Sequence, residues 1–491
     1  MLLRRVICLL ATLPLALSAL ADSDDVDRLV AAMLGDTPVI ADLRELTDTI
    51  GGRVTGTPAN EAAVEWALAR VSRAEVSAYA ESFEMPYQWQ ERAVSATVTG
   101  DVTFDAHVVA KPFSAGTGGD TIAAPLLDGG TGEAADFERL GDSATGAWVL
   151  VETPVLDDEV GLGGLFAEYG ASTQTDNLAR DAGVAGIIYM SSRPKNLLYR
   201  LPALASVGSQ PTLLMEREHA QRALRLLRAG NVLTMAAALE VDAGYAYTAR
   251  NVIGEIRGSE RPDEIVVMGA HLDSHDLGTG ALDNGANVAM LIDVARQITR
   301  LGLRPERTIR FALWNGEEQG LVGSWKYTEQ HEDELDNHVV ATSFDIGTGR
   351  ITGFFTGGRQ GLMPQVDRHL LPVAGLGPFT QVNAALVGTD NFDFMIEGVP
   401  NLIAAQNDAN YASNYHAASD TFDKVDQRQL KLNSAIAAAL TWGFANSDER
   451  LPRQGHDEVA SLIENAGIEQ AMRDFGVWDD WIAGERGRHD R

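Results

Sequence analysis

The chain has 491 residues, of which 45% are hydrophobic and 22% are charged, as in folded proteins and unlike disordered ones. Its 69 acidic residues outnumber its 39 Lys and Arg residues, which gives a formal net charge of −30. A negative field of this size repels nucleic acid and anionic lipid, so neither is an expected partner. The length allows more than one domain with a hydrophobic core.

The N-terminal segment has the pattern of a secretory signal peptide. The basic start MLLRR is followed by an apolar run and by the small-x-small sequence ALA, which ends at Ala21. We therefore expect residues 1–21 to be cleaved after Ala21 and the mature protein to be exported, to a periplasm or outside the cell. Cleavage also removes Cys8, the only cysteine, so a metal in the mature protein would need His, Asp and Glu ligands. No later apolar run is long enough for membrane insertion.

Residues 22–104 are predicted to form the N-terminal part of a catalytic domain, with a helix within 24–48 and another in the second half of GGRVTGTPANEAAVEWALARV (51–71). Between 105 and 245 the pattern changes to short β-rich runs with many glycines. The sequence shows no group of possible metal ligands there. We interpret 105–245 as an inserted, non-catalytic module.

From residue 246 onwards, predicted strands alternate with helices. The runs EIVVMGAHLD, TIRFALWNGEE, HVVATSFDI and VPNLIAA are predicted strands, and NVAMLIDVARQITRLG is an amphipathic helix. The alternation predicts an α/β catalytic domain at 246–447, with a mostly parallel central sheet flanked by helices. Residues 448–491 are interpreted as a C-terminal helical appendage.

Ionisable residues follow several of these strands, where the C-terminal ends of parallel strands bring side chains together. They suit a hydrolase with two zinc ions, which share one carboxylate and each need further His or carboxylate ligands. Asp283 suits the shared position because Asn284 and Gly285 let the backbone turn. Glu317 would then carry no metal and could move a proton between water and the leaving amine. The remaining candidates pair as His271 with Asp345 and Glu318 with His416.

Four ordered motifs resemble the co-catalytic zinc exopeptidase family, which includes secreted aminopeptidases and glutamate carboxypeptidases. The motifs are HxDS at 271–274, GAxDN at 280–284, NGEExGLxGS at 315–324 and YHxxxDT at 415–421. The resemblance covers most of residues 24–447. It implies the zinc-exopeptidase fold, with a β-rich protease-associated domain as the inserted module.

The resemblance also implies two Zn²⁺ per chain and a role for each motif residue. Glu317 would be the catalytic base, and Asp273 would orient a metal-binding histidine, unless it only forms a hydrogen bond within its own loop. The implied ligands are His271 and Asp345 on one ion, Glu318 and His416 on the other, and Asp283 between them.

Two positions depart from the family pattern. Asn284 stands where many members have Asp, and His275 stands where near relatives often have an aromatic residue. His275 and Asp276 are predicted not to bind metal, because the glycine-rich flank argues against a helical pair of histidines. Asp390 lies in a segment that resembles the family's cleft lining, where it either contacts substrate or holds its loop.

The expected activity is hydrolysis of short unblocked peptides by a carboxypeptidase or dipeptidase. An aminopeptidase of the same family is the alternative, because the motifs do not distinguish a pocket for a free amine from one for a free carboxylate. A metal-free binding protein on the same fold and a glutaminyl cyclase are more distant readings. The resemblance adds a homodimer as a family expectation.

Overall fold

The structure is a computed structural model that describes residues 13–201, 208 and 210–489. Residues 1–12 of the expected signal peptide, with Cys8, lie outside the described residues. In the described part of the chain, no helix combines the length and apolar character that crossing a bilayer requires.

The described residues form fifteen α-helices and fifteen strands. The helices are α1 Leu13–Leu34, α2 Val39–Glu45, α3 Pro58–Arg73, α4 Ala134–Leu140, α5 Gly161–Asp181, α6 Arg217–Arg228, α7 Ala286–Arg300, α8 Val322–Gln330, α9 Met363–His369, α10 Asn391–Ile396, α11 Tyr411–Asn414, α12 Gln427–Asn446, α13 His456–Ala466, α14 Glu469–Asp474 and α15 Trp478–Ala483. The strands are β1 Ser77–Met85, β2 Trp89–Gly100, β3 Phe104–Asp105, β4 Val108–Ala110, β5 Ile122–Asp128, β6 Trp148–Val151, β7 Gly186–Met190, β8 Thr212–Met215, β9 Leu233–Ala243, β10 Tyr247–Ile256, β11 Arg261–His271, β12 Arg307–Trp314, β13 His338–Ser343, β14 Ile351–Phe355 and β15 Asn401–Gln406.

The first sheet has seven strands in the order β1-β10-β12-β11-β13-β15-β14. Its four central strands, β12, β11, β13 and β15, run parallel, whereas β1, β10 and β14 pair antiparallel with their neighbours. The sheet is therefore mixed, and the expected parallel arrangement holds only at its centre. Parallel neighbours need a crossover connection, and helices α7 and α8 supply it between β11, β12 and β13.

Helices cover both faces of this sheet, which explains why its strands are apolar throughout. In β11, Val266 and Met268 pack on the side of α7 and α12, whereas Val267 packs on the side of α8 and α10. A strand buried on both faces has no polar alternation. Leu291 of α7 is fully buried in the larger cluster, and burying such a side chain contributes about 1.5–3 kcal/mol.

The second sheet has eight strands in the order β3-β2-β9-β5-β6-β7-β8-β4. Strand β2, which the sequence placed with the N-terminal part of the catalytic domain, pairs along β9 in this sheet. The second sheet therefore begins at Trp89, ahead of the expected start at 105. This part of the chain is mixed α/β, because helix α6 packs against the second sheet in a separate apolar cluster.

The C-terminal helices α13 to α15 pack directly against the part of the chain that carries the first sheet. Val459, Met472 and Trp481 share one apolar cluster with Leu321 and Phe392. Leu321 lies just beyond the NGEE motif, at the start of α8. The segment predicted as an appendage is thus an integral part of the wall beside the candidate site.

Candidate metal centre

The predicted site residues converge at the C-terminal ends of the parallel strands. His271 is the last residue of β11, Glu317 and Glu318 follow β12, and Asp345 follows β13. Asp283 stands in the short turn before α7, and His416 follows α11. Because these strands end at the same edge of the sheet, the loops that follow them bring the side chains together.

The first group of possible metal ligands is His271, Asp283 and Asp345, all buried. The His271 Nε2 atom lies 2.9 Å from Asp345 Oδ1 and 3.1 Å from Asp283 Oδ1. One imidazole nitrogen and two carboxylate oxygens are a ligand set that zinc accepts.

The second group contains Glu318 and His416. The His416 Nε2 atom lies 3.1 Å from Glu318 Oε2 and 3.3 Å from Asp283 Oδ2. Asp283 therefore turns one carboxylate oxygen towards each group. This is the placement expected of a carboxylate shared between two metal ions.

His275 also belongs to the second group, contrary to the prediction that it lies outside the ligand set. Its Nε2 atom is 3.0 Å from Glu318 Oε2, and its ring lies 4.1 Å from the His416 ring, edge to face. Residues 272–280 form an irregular loop and no helix, as the glycine-rich flank predicts, but this loop turns His275 back towards the site. Asp276, by contrast, points away and forms an ion pair with Arg200.

Asp273 touches the site differently from the expectation. His271 Nδ1 lies 3.0 Å from the backbone oxygen of Asp273, whereas the nearest carboxylate oxygen of Asp273 is 3.6 Å away. The carboxylate instead accepts hydrogen bonds from Thr55 Oγ1 at 3.0 Å and from the Gly316 amide at 3.1 Å. Asp273 thus orients His271 through its main chain, and its side chain anchors the loop that carries Glu317.

Glu317 lines the cleft beside these groups. Burial raises the pKa of its carboxyl well above the usual range, the His271 ring opposes this, and the carboxylates of Asp345 and Glu318 raise it further. Burial likewise raises the pKa of Asp345 to about 6, against the opposing effect of His271. Carboxylates that lie this close together repel one another unless cations lie between them.

Unpaired carboxylate oxygens show that the residues fit bound cations. Within the two groups, Glu318 Oε1 and Asp283 Oδ2 are buried without a hydrogen-bond partner. Burying a charged oxygen unpaired is costly, and metal cations in the two groups would offset that cost. Asp390 does not line the cleft among the described residues, although its neighbour Gly388 does.

Sequence reasoning missed two buried residues that shape the bridging loop. Asp420 accepts hydrogen bonds from the amides of Ala281, Leu282 and Asp283 at 2.6–3.1 Å. Arg53 donates to the carbonyls of residues 272, 279 and 280 at 2.6–2.9 Å. Both stand in segments already noted as motifs, GGRVTG and YHxxxDT, but their partners are distant in sequence.

The inserted module also reaches the site, through Arg200. Its guanidinium binds both oxygens of Asp276 at 2.8 Å and Glu91 at 2.7 Å. Its amide donates to the His416 carbonyl at 3.0 Å. A buried arginine that binds two acids and the backbone of a candidate ligand fixes the position of that ligand.

A further ligand-type group lies within the inserted module, where the sequence showed none. His107, Glu216 and His219 come together at the protein surface, with His107 Nδ1 at 3.1 Å from Glu216 Oε2. Antiparallel pairing of β4 with β8 brings these distant residues together.

A cleft of about 750 Å³ opens over Glu317 and Glu318. Its walls come from three parts of the chain: Tyr169 of α5, Tyr415 beside His416, and Phe475 after α14. The Tyr169 and Tyr415 hydroxyls lie 2.7 Å apart, and the Tyr169 and Phe475 rings stack at 5.3 Å.

Residues 251–441 match Peptidase family M28. This segment of the chain is therefore similar to the M28 peptidases. This match spans all seven predicted site residues, His271, Asp273, Asp283, Glu317, Glu318, Asp345 and His416.

Similar proteins extend the likeness beyond the M28 segment. Carboxypeptidase Q of Bos taurus is 27% identical over 83% of this chain and 85% of its own length. A probable lipoprotein aminopeptidase of Mycobacterium tuberculosis is 26% identical over 83% of each chain. The chain is therefore a metallopeptidase with relatives among both carboxypeptidases and aminopeptidases.

Solved structures agree on the fold. A peptidase M28 precursor from Shewanella amazonensis superposes with a TM-score of 0.80 at 27% identity, covering 88% of this chain and 99% of that one. A zinc aminopeptidase from Bacillus subtilis gives a TM-score of 0.66 at 19% identity, covering 84% and 96%. The second likeness concerns the fold alone. Together the relatives and the ligand groups support zinc as the metal.

Proposed function

We propose that the protein is an exported exopeptidase with two Zn²⁺ per chain that hydrolyses short unblocked peptides, as a carboxypeptidase or dipeptidase. The observation that carries this proposal is Asp283, whose two oxygens face two separate groups of ligand atoms. Bound zinc would supply Lewis-acid activation of the scissile carbonyl and of water. The residues that would hold it are His271, Asp345, Asp283, Glu318 and His416.

Glu317 is positioned to transfer a proton from water to the leaving amine. It stands next to Glu318 in the chain, lines the cleft and belongs to neither ligand group among the described residues. A carboxyl whose pKa is raised well above the usual range is suited both to take a proton from water and to return it to a leaving amine. Glu317 is therefore the proposed general base and acid.

The cleft suits a short peptide. A volume of about 750 Å³ lies within the range of small-ligand pockets, about 300–1,000 Å³. The stacked rings of Tyr169 and Phe475 line one part of its wall, and a cleft of this volume holds a chain end and a few residues. Its aromatic walls favour apolar side chains next to the scissile bond.

An aminopeptidase is the second candidate, because the charges along the cleft favour a free amine. Glu84, Asp480 and Glu485 line it together with the site glutamates. Two cations line it, and both have partners: Lys326 binds Glu329 at 2.8 Å, and Arg486 binds Asp393 at 2.7 Å. An amine would find acids there, whereas a carboxylate would compete with existing ion pairs.

A panel of peptides tests the proposal directly. Purified protein with added Zn²⁺ is incubated with dipeptides, N-blocked peptides and C-amidated peptides, and zinc is counted by elemental analysis. Cleavage of N-blocked peptides means carboxypeptidase, cleavage of amidated peptides means aminopeptidase, and cleavage only when both ends are free means dipeptidase. Fewer than one bound zinc per chain, without cleavage, would instead favour a metal-free binding protein.

We also propose that the inserted module is a protease-associated domain and that the protein is exported after cleavage at Ala21. The place of the second sheet, between β1 and β10 of the first, supports an insertion into the peptidase fold. N-terminal sequencing of the exported protein tests the cleavage site. Light scattering tests the homodimer that family resemblance implies.

A further inference from the structure

We propose that the two metal positions are unequal, because His275 is an additional ligand of the Glu318/His416 position. That position would then have four protein ligands, whereas the His271/Asp345 position would have three. The inference rests on the proposed two-zinc function, and its experiment separates the two ideas.

Two imidazole nitrogens lie beside one carboxylate oxygen. The Nε2 atoms of His275 and His416 lie 3.0 and 3.1 Å from the same oxygen, Oε2 of Glu318. The ligand atoms of these three residues all lie within 4.8 Å of one another. Asp283 Oδ2 is 3.3 Å from His416 Nε2 and adds a fourth. Two imidazoles and two carboxylates are a complete tetrahedral set for zinc.

The protein holds His275 in this place. The next residue, Asp276, is bound through both oxygens by the buried Arg200, and Ser274 Oγ donates to the His275 carbonyl at 3.1 Å. The His275 side chain is only 10% exposed. A ligand whose loop is anchored on both sides loses little freedom when it binds a metal.

The other position has a smaller set. Among the described residues, its ligand group contains His271, Asp283 and Asp345. Zinc sites with four protein ligands are closed, and sites with three keep a place for water or substrate. The His271/Asp345 position is therefore the one open to exchange, and the Glu318/His416 position is the one held more tightly.

Zinc affinity is the measurement that tests this inference. Zinc is titrated out with a competing chelator, in a His107→Ala background so that the surface group of His107, Glu216 and His219 does not contribute. The wild-type site is expected to release its two ions in separate steps. His275→Phe, which fills the space with an aromatic ring, should weaken one ion by at least about tenfold, the lower bound for lost support of a metal ligand.

Two further variants identify which ion His275 binds and whether it acts as a metal ligand. Asp345→Asn removes a ligand of the open position, so adding His275→Phe to it should also weaken the remaining ion. His275→Gln can still donate a hydrogen bond to Glu318 but offers no imidazole, and it should behave like His275→Phe. His331→Phe is the matched control, since His331 is likewise a largely buried histidine that contacts carboxylates, those of Glu81 and Glu334, away from the site. Its zinc affinities should equal those of the wild type.

The outcomes are distinct. Wild-type affinities for both ions in His275→Phe, or rescue by His275→Gln, would overturn the ligand role of His275. Thermal melts of the metal-free proteins show whether each variant folds. If His275→Phe does not fold, His275→Gln still tests the ligand role. A wild type that binds fewer than two ions contradicts the proposed function itself, before His275 is considered.

Discussion

At the scale of single residues, Glu317 and Glu318 are neighbours in the chain with opposite environments. Burial alone would raise the pKa of both carboxyls. The rings of His275 and His416 reverse this for Glu318 and hold its pKa well below the usual range. Glu317 faces the carboxylates of Asp345 and Glu318, and its pKa is raised well above that range. These environments suit the proposed roles of Glu318 as a metal ligand and Glu317 as the proton carrier.

Glu317→Gln should abolish turnover while both metal ions stay bound. The amide cannot exchange protons with water or amine, and loss of general acid–base catalysis costs about 10²–10⁴-fold in kcat. Zinc per chain and kcat are measured on the same preparation. Glu138→Gln, at an exposed residue of α4 that does not line the cleft, is the control and should keep full activity. Wild-type kcat in Glu317→Gln would refute the assignment of Glu317 as base.

At the scale of elements, the loop between β11 and α7 is positioned by residues from elsewhere in the chain. Arg53 holds its carbonyls, Asp420 holds its amides, and Arg200 holds Asp276. The inserted module therefore contributes to the site although it offers no metal ligand to it among the described residues.

Arg200→Met should destabilise the protein and weaken zinc binding. It removes a buried guanidinium that binds the partly exposed Asp276 and Glu91. The cost should therefore lie above the about 1 kcal/mol of an exposed ion pair and below the about 3–5 kcal/mol of a fully buried one. Urea unfolding of the metal-free protein measures the free energy of unfolding. Arg228→Met is the matched control, because Arg228 also binds two acids, Asp128 and Glu152, but is about half exposed. The control should lose no more than about 1 kcal/mol, and an equal loss in both variants would contradict the role of Arg200.

At the scale of the whole molecule, the cleft is a joint product of three segments distant in sequence. Tyr169 comes from the inserted module, Tyr415 from the peptidase part and Phe475 from the C-terminal helices. Arg486 ties the last segment down by binding both oxygens of Asp393 at 2.7 and 3.0 Å. The C-terminal helices thus form a wall of the substrate site.

Phe475→Ala should raise KM and leave zinc content unchanged. It removes a ring that stacks on Tyr169, and an aromatic pair contributes about 0.5–1.5 kcal/mol, which corresponds to a change of about 2–10-fold. Peptide kinetics with the best substrate of the panel measure KM and kcat. Ile482→Ala, at an exposed apolar residue of α15, serves as control and should match the wild type. Unchanged KM in Phe475→Ala would place the substrate elsewhere.

Much of the candidate site was predictable because its residues follow apolar strands. A run such as EIVVMGAH shows both that β11 is buried on two faces and that His271 stands at its end. Helix α7 was predicted equally well, from its apolar residues. The mixed character of the first sheet was not predicted, because the pairing of β10 with β12 joins strands that are not consecutive.

The sequence by itself determined which residues are candidate ligands and in what order they occur, because local apolar runs and motif spacing are written along the chain. Only the tertiary structure decided that His275 turns towards Glu318, that Arg200 reaches His416, and that Phe475 lines the cleft. These contacts join residues tens to hundreds of positions apart. No local pattern encodes them, since they arise only when separate elements pack around a common core.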